Sequence, residues 1–430
     1  MYEIDRRLLE REAAGRPVTV AVVGAGQMGT EIVSQVGEMR GMEVAVVVDL
    51  TFERASAAYA TSKKASEVVC TNELAEAERA MKAGIKIATT DHRLATRLSA
   101  VEAVVDSTGQ AETGALISLD AFDHKKHVVM MNVECDVTIG PILRRMAENA
   151  GVVYSWAAGD EPAAIVELFR FARALGFEVV AAGKGKNNPL DHYATPDTER
   201  AKAEKRRMSA RMLCEFVDGS KTAVEMAAVS NATGLIPDVR GMHGPRSTIA
   251  QLNRVFVPKE AGGVLSRKGV VDFAIGVHPG VFLVFTTDNE TLRAGLVQRD
   301  MGDGPYYTLF RPFHLCSIEV PLTLAQCVLY GESSGHPQRA LVSECIAVAK
   351  RDLKAGEVLD GIGEFCYRGS IEVAEVSRRE RLVPLGLAKG SVLRAAVPKD
   401  AVLTYDMIEP QPDSVLLQLR RIQDGLYAHG

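Results

Sequence analysis

The sequence predicts an α/β protein with a doubly wound parallel sheet in its N-terminal part, a central α+β region and a small β-rich C-terminal region. Apolar strand-like runs alternate with helix-like segments up to residue 158. A glycine-rich turn, GAGQMG, follows the first strand at residues 24–29, and beyond residues 331–337 the pattern changes to short β runs separated by turns. Alternating strands and helices favour a parallel sheet with its ligand crevice at the strand ends.

The glycine-rich turn lies between a predicted strand, Pro17–Val23, and a predicted helix, residues 30–39. Gly24 permits the tight turn, Gly26 lets backbone amides approach a pyrophosphate, and Gly29 lets helix and strand pack closely. The helix N-terminus attracts the anion. The pattern is typical of a Rossmann dinucleotide-binding turn, and a glycine turn in another α/β protein is the alternative. The expected cofactor-binding residues here are Gly24, Gly26, Gln27, Met28 and Gly29.

A second predicted strand, Met42–Val48, ends in Asp49. This acid follows the last glycine by about twenty residues, where it would bind the adenosine ribose. A carboxylate there would repel a 2′-phosphate and by itself indicates NAD, whereas Arg54, in the next predicted helix, could pair with that phosphate. Asp49 and Arg54 are therefore both expected at the adenosine end of the cofactor.

Two further strand ends carry small polar residues. After an alanine-rich elaboration at residues 63–84, a strand at 85–89 and a helix at 91–98, a buried strand ends in Ser107-Thr108-Gly109. The next strand, residues 127–134, has Asn132 near its end, and a helix at 137–150 and a strand at 151–158 follow. Strand ends of a doubly wound sheet lie beside the dinucleotide, so Ser107, Thr108, Gly109 and Asn132 are expected to bind it. A simple helix cap is the alternative for residues 107–109.

The central region begins at Gly159-Asp160-Glu161-Pro162, which precedes a predicted helix at 163–175 and a strand at 177–182. We predict that this strand ends in a polar loop, residues 183–193, which contains Lys184, Lys186, Asp191 and His192. An ammonium can bind phosphate or polarise a carbonyl, and histidine can transfer protons near neutral pH. The alternative is a solvated surface turn, because Asn, Gly and Pro are common in turns.

The rest of the central region is predicted to contain a single charged helix at 198–216, a helix at 221–230, antiparallel strands at 270–276 and 281–286, and a helix at 320–330. A polar turn after residue 230 would place Asn231 and Thr233 at the crevice. Arg311 and His314 are further candidates. We expect a linker at 331–337 and short β runs beyond it with a structural or interaction role. The expected domains are residues 1–158, 159–335 and 336–430.

The composition excludes several classes of protein. Of 430 residues, 47% are hydrophobic and 24% charged, with a net charge of −5. Without a basic excess, neither nucleic acid nor a membrane surface is expected as a partner. No apolar run reaches the length of a transmembrane helix, and the N-terminal residues mix both charges, unlike a secretory signal. The seven scattered cysteines are typical of reduced thiols, so we expect a cytoplasmic location.

Six stretches together resemble one known family. They are GAGQMG, VVDSTG, KHVVMMNVECDVTIG, AGDEPAAIVEL, GKGKNNPLD, and the C-terminal part KRDLKAGEVLDGIGEF with PLGLAKGSVL. Over essentially the whole chain, the sequence resembles the homoserine-dehydrogenase-like oxidoreductases with a C-terminal SAF domain, in particular the 1-deoxy-D-xylulose 5-phosphate reductoisomerase-like (DRL) family. The resemblance implies a Rossmann domain, an α+β catalytic domain and a β-rich SAF-like domain.

The resemblance also implies a reaction. Retroaldol and aldol steps would rearrange 1-deoxy-D-xylulose 5-phosphate, and NADPH would reduce the resulting aldehyde to 2-C-methyl-D-erythritol 4-phosphate. A divalent cation, Mg or Mn, would assist, and a homodimer is expected. Lys184 and Lys186 would bind phosphate or polarise the carbonyl. The other residues assigned by this resemblance are Asp191 and His192 for proton transfer, Asn231, Thr233, Arg311 and His314 as supporting groups, and Asp160 and Glu161 as candidate metal ligands.

Two other functions remain open from the sequence. One is a homoserine-dehydrogenase-like oxidoreductase that acts on another small hydroxy acid or polyol phosphate. The other is a nucleotide-binding sensor whose C-terminal domain meets a partner. Product analysis and substitution of the two lysines distinguish these possibilities.

Overall fold

The structure is a computed structural model that describes residues 3–64 and 67–427. Among these residues, no helix combines the length and the apolar character needed to span a bilayer. The elements up to residue 177 are α1 Ile4–Ala13, β1 Val18–Val23, α2 Gln27–Glu38, β2 Met42–Val48, α3 Phe52–Tyr59, β3 Val68–Cys70, α4 Leu74–Lys82, β4 Lys86–Thr89, α5 His92–Arg97, β5 Ala103–Asp106, α6 Ala111–Asp123, β6 His127–Met130, α7 Val133–Ala150, β7 Tyr154–Trp156 and α8 Glu161–Ala174.

The remaining elements follow in chain order. Those up to residue 330 are β8 Glu178–Lys186, α9 Pro196–Arg206, α10 Ala210–Val217, α11 Ser220–Thr233, β9 Ile236–Pro237, α12 Leu252–Val255, β10 Val270–Ile275, β11 Val281–Thr286, α13 Glu290–Val297, β12 Tyr306–Arg311 and α14 Cys316–Tyr330, with short 3-10 turns at Ile249–Gln251 and Lys259–Ala261. Those beyond it are β13 Ser343–Ala349, β14 Tyr367–Val373, α15 Ala374–Glu380, α16 Leu385–Ala388, β15 Val392–Leu393, β16 Ile408–Glu409 and α17 Val415–Tyr427.

The chain packs into two compact units. The first unit comprises the described residues of 1–163, 315–339 and 418–429, and the second comprises 164–314 and 340–417. Each unit is therefore assembled from segments that are distant in the sequence. The division into three domains at residues 158 and 335 remains a prediction.

The first unit contains a seven-stranded parallel sheet in the order β3-β4-β2-β1-β5-β6-β7. Strand β1, VTVAVV, is buried along its whole length, as expected of a central parallel strand covered on both faces. The strand order reverses between β1 and β5, and ligands of doubly wound sheets bind at this switch point. The predicted Rossmann fold is confirmed. The elaboration at residues 63–84 adds an edge strand, β3, and helix α4.

Helix α14 completes the core of the first unit, although about 280 residues separate it from α2. Val320 and Leu324 are buried in one apolar cluster with Ile32, Val33 and Val36 of α2. Residues 331–337, which we predicted to form a linker, are fixed to this unit as well. For example, Trp156 N–H donates to Gly335 O at 2.7 Å, and Arg144 donates to Pro337 O at 2.8 Å.

The C-terminal helix α17 supplies hydrogen bonds that α7 lacks near Pro141. Pro141 lies inside α7 and interrupts its ladder of backbone hydrogen bonds. The side-chain amide of Gln423 inserts there: Ile142 N–H donates to its Oε1 at 3.1 Å, and its Nε2 donates to Thr138 O at 3.2 Å. The amide thus replaces both partners that the helix lacks at this point.

The second unit contains a five-stranded mixed sheet in the order β12-β11-β8-β10-β9. Strand β8 is central, parallel to β10 and antiparallel to β11. The strands predicted at residues 270–276 and 281–286 are β10 and β11, which run in opposite directions as predicted, and β8 lies between them. Two antiparallel pairs, β13 with β14 and β15 with β16, form the β-rich C-terminal part.

Three predicted boundaries also differ. The charged helix at 198–216 is two helices, α9 and α10, separated at Arg207, which has a φ of 53°. Helix α11 continues to Thr233 and ends at Gly234, so Asn231 and Thr233 lie in a helix and not in a turn. Asn132 caps α7 rather than ending a strand, because its side chain accepts a hydrogen bond from Cys135 N–H.

Candidate active site

The glycine turn has the geometry of an anion-binding loop. Gly24 has a φ of +99°, and a β-carbon on Gly29 would lie 1.8 Å from Gly24 O, so both positions require glycine. A β-carbon on Gly26 would meet nothing within 4 Å. Gly26 precedes α2, whose first turn receives no side-chain cap. Open space above uncapped helix N–H groups suits the pyrophosphate of a dinucleotide. The exposed Gln27 and half-buried Met28 form the start of the same turn.

Asp49 is tied to this turn. Its Oδ2 accepts from Ala25 N–H at 2.6 Å, its Oδ1 accepts from Leu50 N–H at 2.7 Å, and Arg54 Nε lies 3.0 Å from Oδ1. The Asp49 side chain is 5% exposed and that of Arg54 54% exposed. The carboxylate is therefore a fixed acceptor, and the guanidinium is a cation beside it that solvent can reach.

The ends of β5 and β6 form a connected polar group next to the turn. Ser107 Oγ donates to Gly24 O at 2.8 Å, and Thr108 Oγ1 and Asn132 Nδ2 donate to the two carboxylate oxygens of Asp106 at 2.6 and 3.1 Å. Asp106 is fully buried, and burial raises its pKa. The exposed Gly109 follows with a φ of +62°. Ser107, Thr108 and Asn132 thus lie at the switch-point edge, whereas sequence reasoning missed Asp106, which anchors them.

The two lysines lie within a strand. Lys184 and Lys186 belong to β8, so the prediction of a loop beginning at residue 183 was wrong. Both are buried, at 8% and 5% exposure, which also excludes a solvated turn at these two residues. Since side chains alternate along a strand, both lysines project from one face. On the other face, β-carbons at Gly183 and Gly185 would lie 2.0 and 1.1 Å from the carbonyl oxygens of Asp272 and Val277.

Arg311 projects from the same sheet face as the lysines. In the register, Val281 is opposite Lys184 on one side and opposite Arg311 on the other. Residues directly opposite each other on neighbouring strands have side chains on the same face of the sheet. The Cα atoms of Lys184 and Arg311 are therefore two strand spacings, about 10 Å, apart. Arg311 lies 3.6 Å from Glu167 and over the ring of Phe313. The face therefore carries three cations within the span of a small phosphorylated molecule.

A carboxylate on α11 faces these cations. Glu225, 1% exposed, forms a buried ion pair with Lys184. Burial, followed by the charge of Lys184, lowers the pKa of Lys186 to about 8. A lysine with this pKa exchanges its proton near neutral pH.

Lys186 and His192 both contact backbone carbonyl oxygens of one turn of the chain, residues 216–218. Lys186 Nζ donates to Phe216 O at 2.6 Å, and His192 Nδ1 lies 3.0 Å from Asp218 O. Both carbonyls lie at the C-terminal end of α10. Asp191 is exposed, and its Oδ1 accepts from Tyr193 N–H at 3.0 Å. Residues 187–195, which we call the β8–α9 loop, thus contact this turn.

Other candidates have structural contacts. Asn231 is fully buried, and its Oδ1 accepts from Val342 N–H and Ser343 N–H at 2.7 and 2.9 Å. Thr233 donates to Val229 O, one turn earlier in α11. His314 is half-buried, three residues beyond Arg311. The structure therefore brings together Lys184, Lys186 and Arg311, and connects His192 to them through α10.

Asp160 and Glu161 lie at the N-terminus of α8 in the first unit. Their carboxylates each offer an oxygen within 4.8 Å of the other, and Glu161 is buried. Hard oxygen ligands at this spacing suit Mg²⁺ or Mn²⁺. The two carboxylates fit the cation that the resemblance implies.

Sequence reasoning missed Glu225, Asp218 and Lys350. Glu225 had a detectable signal, since it is the acid in an otherwise uncharged run, TAVEMAAV. Asp218 and Lys350 form a buried ion pair at 2.7 Å across 132 residues, and nothing in the local sequence relates them.

Two family models match parts of the chain. Residues 159–320 match the family described as oxidoreductase DRL, catalytic domain, and residues 346–409 match the SAF domain. No curated protein matches the chain.

Several solved structures are similar at low identity. A probable dehydrogenase from Thermotoga maritima is 14% identical with a TM-score of 0.40, covering 73% of this chain and 90% of that one. Scyllo-inositol dehydrogenase from Lactobacillus casei is 10% identical with a TM-score of 0.36, covering 63% and 74%. A DOX-P reductoisomerase in complex with magnesium is 13% identical with a TM-score of 0.39, covering 74% and 70%.

The chain is thus an NAD(P)-dependent oxidoreductase. An oxidoreductase catalytic domain is matched at residues 159–320, and a Rossmann sheet with an uncapped glycine turn precedes it. A segment that matches the SAF domain follows.

Proposed function

We propose that the chain is an NADPH-dependent reductoisomerase that converts 1-deoxy-D-xylulose 5-phosphate to 2-C-methyl-D-erythritol 4-phosphate. The observation that carries the proposal is the set of three cations, Lys184, Lys186 and Arg311, on one sheet face of the segment that matches the DRL catalytic domain. A dianionic phosphate requires cationic donors, and buried donors bind it more strongly than exposed ones.

Lys184 is the group that we assign to the sugar carbonyl. Its ammonium is held by Glu225, so a hydrogen-bond donor is oriented before substrate arrives. Retroaldol cleavage and aldol closure both develop negative charge on oxygen, and a fixed ammonium stabilises that charge. Glu225 acts through Lys184 and is therefore a positioning residue.

Lys186 and His192 are assigned to the phosphate and to proton transfer, respectively. Lys186 is buried on the same face as Lys184, which suits it to the charged end of the substrate. His192 is the group that we assign to give or take a proton at the sugar hydroxyls, since imidazole can act as a general acid or base.

The bound cofactors would supply the remaining chemistry. NADPH provides the hydride that reduces the aldehyde, and a divalent cation provides Lewis acidity. Gly24, Gly26 and Gly29 would hold the pyrophosphate, and Arg54 would receive the 2′-phosphate. Asp160 and Glu161 would hold the cation.

Product analysis tests the proposal. The purified protein is incubated with 1-deoxy-D-xylulose 5-phosphate, NADPH and Mg²⁺, and the product is identified by NMR. We expect 2-C-methyl-D-erythritol 4-phosphate, and we expect Lys184→Gln to lower kcat/KM by about 100-fold or more. A double variant, Lys184→Gln with Glu225→Gln, avoids an unpaired buried carboxylate and should be equally impaired.

The matched control is Lys268→Gln, which removes a partly exposed lysine that pairs with Glu178. Glu178 lies on β8, the strand that also carries Lys184. The variant should keep wild-type kinetics. Absence of the methylerythritol product contradicts the proposal, and turnover of another hydroxy acid or polyol phosphate would then support the alternative dehydrogenase.

A further inference from the structure

One buried lysine of the SAF-matching segment is bonded to the catalytic segment. Lys350 has a side chain 2% exposed, and its Nζ lies 2.7 Å from the carboxylate of Asp218, which is fully buried. The same ammonium donates to Ala194 O at 2.9 Å and to Glu364 O at 2.8 Å. It also donates to Cys214 Sγ at 3.4 Å, so the three N–H donors of the ammonium are surrounded by four partners.

The acceptors of Lys350 belong to the chain segments that carry the proposed catalytic groups. Ala194 lies in the β8–α9 loop, two residues after His192. Asp218 ends α10, and its own carbonyl oxygen lies 3.0 Å from His192 Nδ1. Phe216 O, two residues before Asp218, accepts from Lys186. One side chain therefore fixes the backbone on which both Lys186 and His192 depend.

A second contact joins the same loop to the SAF-matching segment. Tyr193 Oη donates to Asp400 at 2.8 Å, and Lys399 Nζ lies 3.4 Å from the centroid of the Tyr193 ring. These contacts are exposed, whereas the bonds of Lys350 are buried. Lys350 is therefore the stronger of the two connections, because removing one partner of a buried ion pair lowers the stability of the fold more than removing an exposed partner does.

We propose that Lys350 is a positioning residue: it holds the β8–α9 loop and the C-terminal turn of α10 in the arrangement that presents Lys186 and His192 to the substrate. The SAF-matching segment is then a structural part of the active site. The catalytic part of this proposal rests on the function proposed above.

The test uses the full chain and Lys350→Met. Amide hydrogen exchange is followed for residues 187–195, and kcat and KM are measured with NADPH and the sugar phosphate. We expect exchange in the loop to rise at least about tenfold. We expect kcat to fall on the order of 10- to 100-fold while the KM for NADPH is unchanged, because only the catalytic geometry is lost.

Two further variants guard against a general loss of folding. Lys350→Met with Asp218→Asn removes both buried charges, and Tyr193→Phe removes only the exposed contact. The double variant should release the loop as Lys350→Met does, and Tyr193→Phe should release it less. The matched control is Arg240→Met, since Arg240 also joins the two matched segments, through Glu372 and Glu380, but does not contact the loop. It should change neither exchange nor kcat.

Two results overturn the proposal. In the first, amide exchange in the loop is as slow in Lys350→Met and in the double variant as it is in Arg240→Met. In the second, Lys350→Met raises exchange in the loop but keeps the wild-type kcat. A wild-type chain that makes no methylerythritol phosphate overturns the proposed function and the catalytic part of this inference. The exchange comparison then still decides whether Lys350 holds the loop.

Discussion

At the scale of single residues, Lys186 gives the proposed chemistry a pH dependence. Burial lowers its pKa to about 8, so the ammonium loses its proton as the pH rises through that value. A neutral amine binds a phosphate more weakly than an ammonium does. We therefore expect kcat/KM to fall about tenfold per pH unit above about pH 8.

Lys186→Arg separates this residue from other titrating groups. Guanidinium stays charged over the whole range, so the fall above pH 8 should disappear even if the overall rate is lower. The control is Lys268→Arg, whose lysine is partly exposed and has a pKa raised by Glu178. It should retain the wild-type profile. A profile for Lys186→Arg that still falls above pH 8 would assign the titration to another group.

The residue types of the site were easier to predict than their positions. The run Gly183-Lys184-Gly185-Lys186 resembles a polar turn, because it lacks the apolar alternation of a strand. It forms a strand since its glycine face packs against backbone carbonyls and its lysine face meets Glu225. Both are tertiary contacts with residues far away in the sequence, so the four residues alone do not predict them.

At the scale of elements, α7 depends on α17. Gln423→Leu would leave Ile142 N–H without its partner in a buried position, and an unsatisfied buried donor costs about 1–3 kcal/mol. We expect the free energy of unfolding, measured in urea, to decrease by about that amount. Gln418→Leu is the control, because Gln418 is exposed on the same helix. Equal free energies of unfolding for the two variants would show that the hydrogen bonds of the Gln423 amide do not stabilise α7 near Pro141.

The elements themselves were largely predictable where the pattern is local. Strands β1, β2 and β5 are predominantly apolar runs, and each was predicted within a few residues. The insertion of β8 between β10 and β11 was not predicted, because alternation gives the faces of a strand but not its neighbour. The central position of β8 between them follows from the whole sheet.

At the scale of the whole molecule, the first unit is discontinuous in sequence. Its Rossmann sheet is formed before residue 160, but α14 returns to it after about 150 residues of the second unit. The sequence indicates that α14 is apolar, yet it does not indicate which sheet the helix covers. For this reason the fold class of each region was predictable, whereas the assembly of the units was not.

This arrangement gives the last prediction. Leu324 of α14 is fully buried in the core cluster that contains Ile32 and Val36 of the nucleotide-binding helix α2. Leu324→Ala should therefore destabilise the unit that we propose binds NADPH by about 2–5 kcal/mol, the usual cost of a buried leucine. Leu322→Ala, on the same helix but 41% exposed, is the control and should change stability little. Thermal unfolding with and without saturating NADPH checks this: the transition that NADPH raises should be the one that Leu324→Ala lowers. If Leu324→Ala lowers only a transition that NADPH does not move, α14 is not part of the nucleotide-binding core, and the assembly of the first unit from distant segments is wrong.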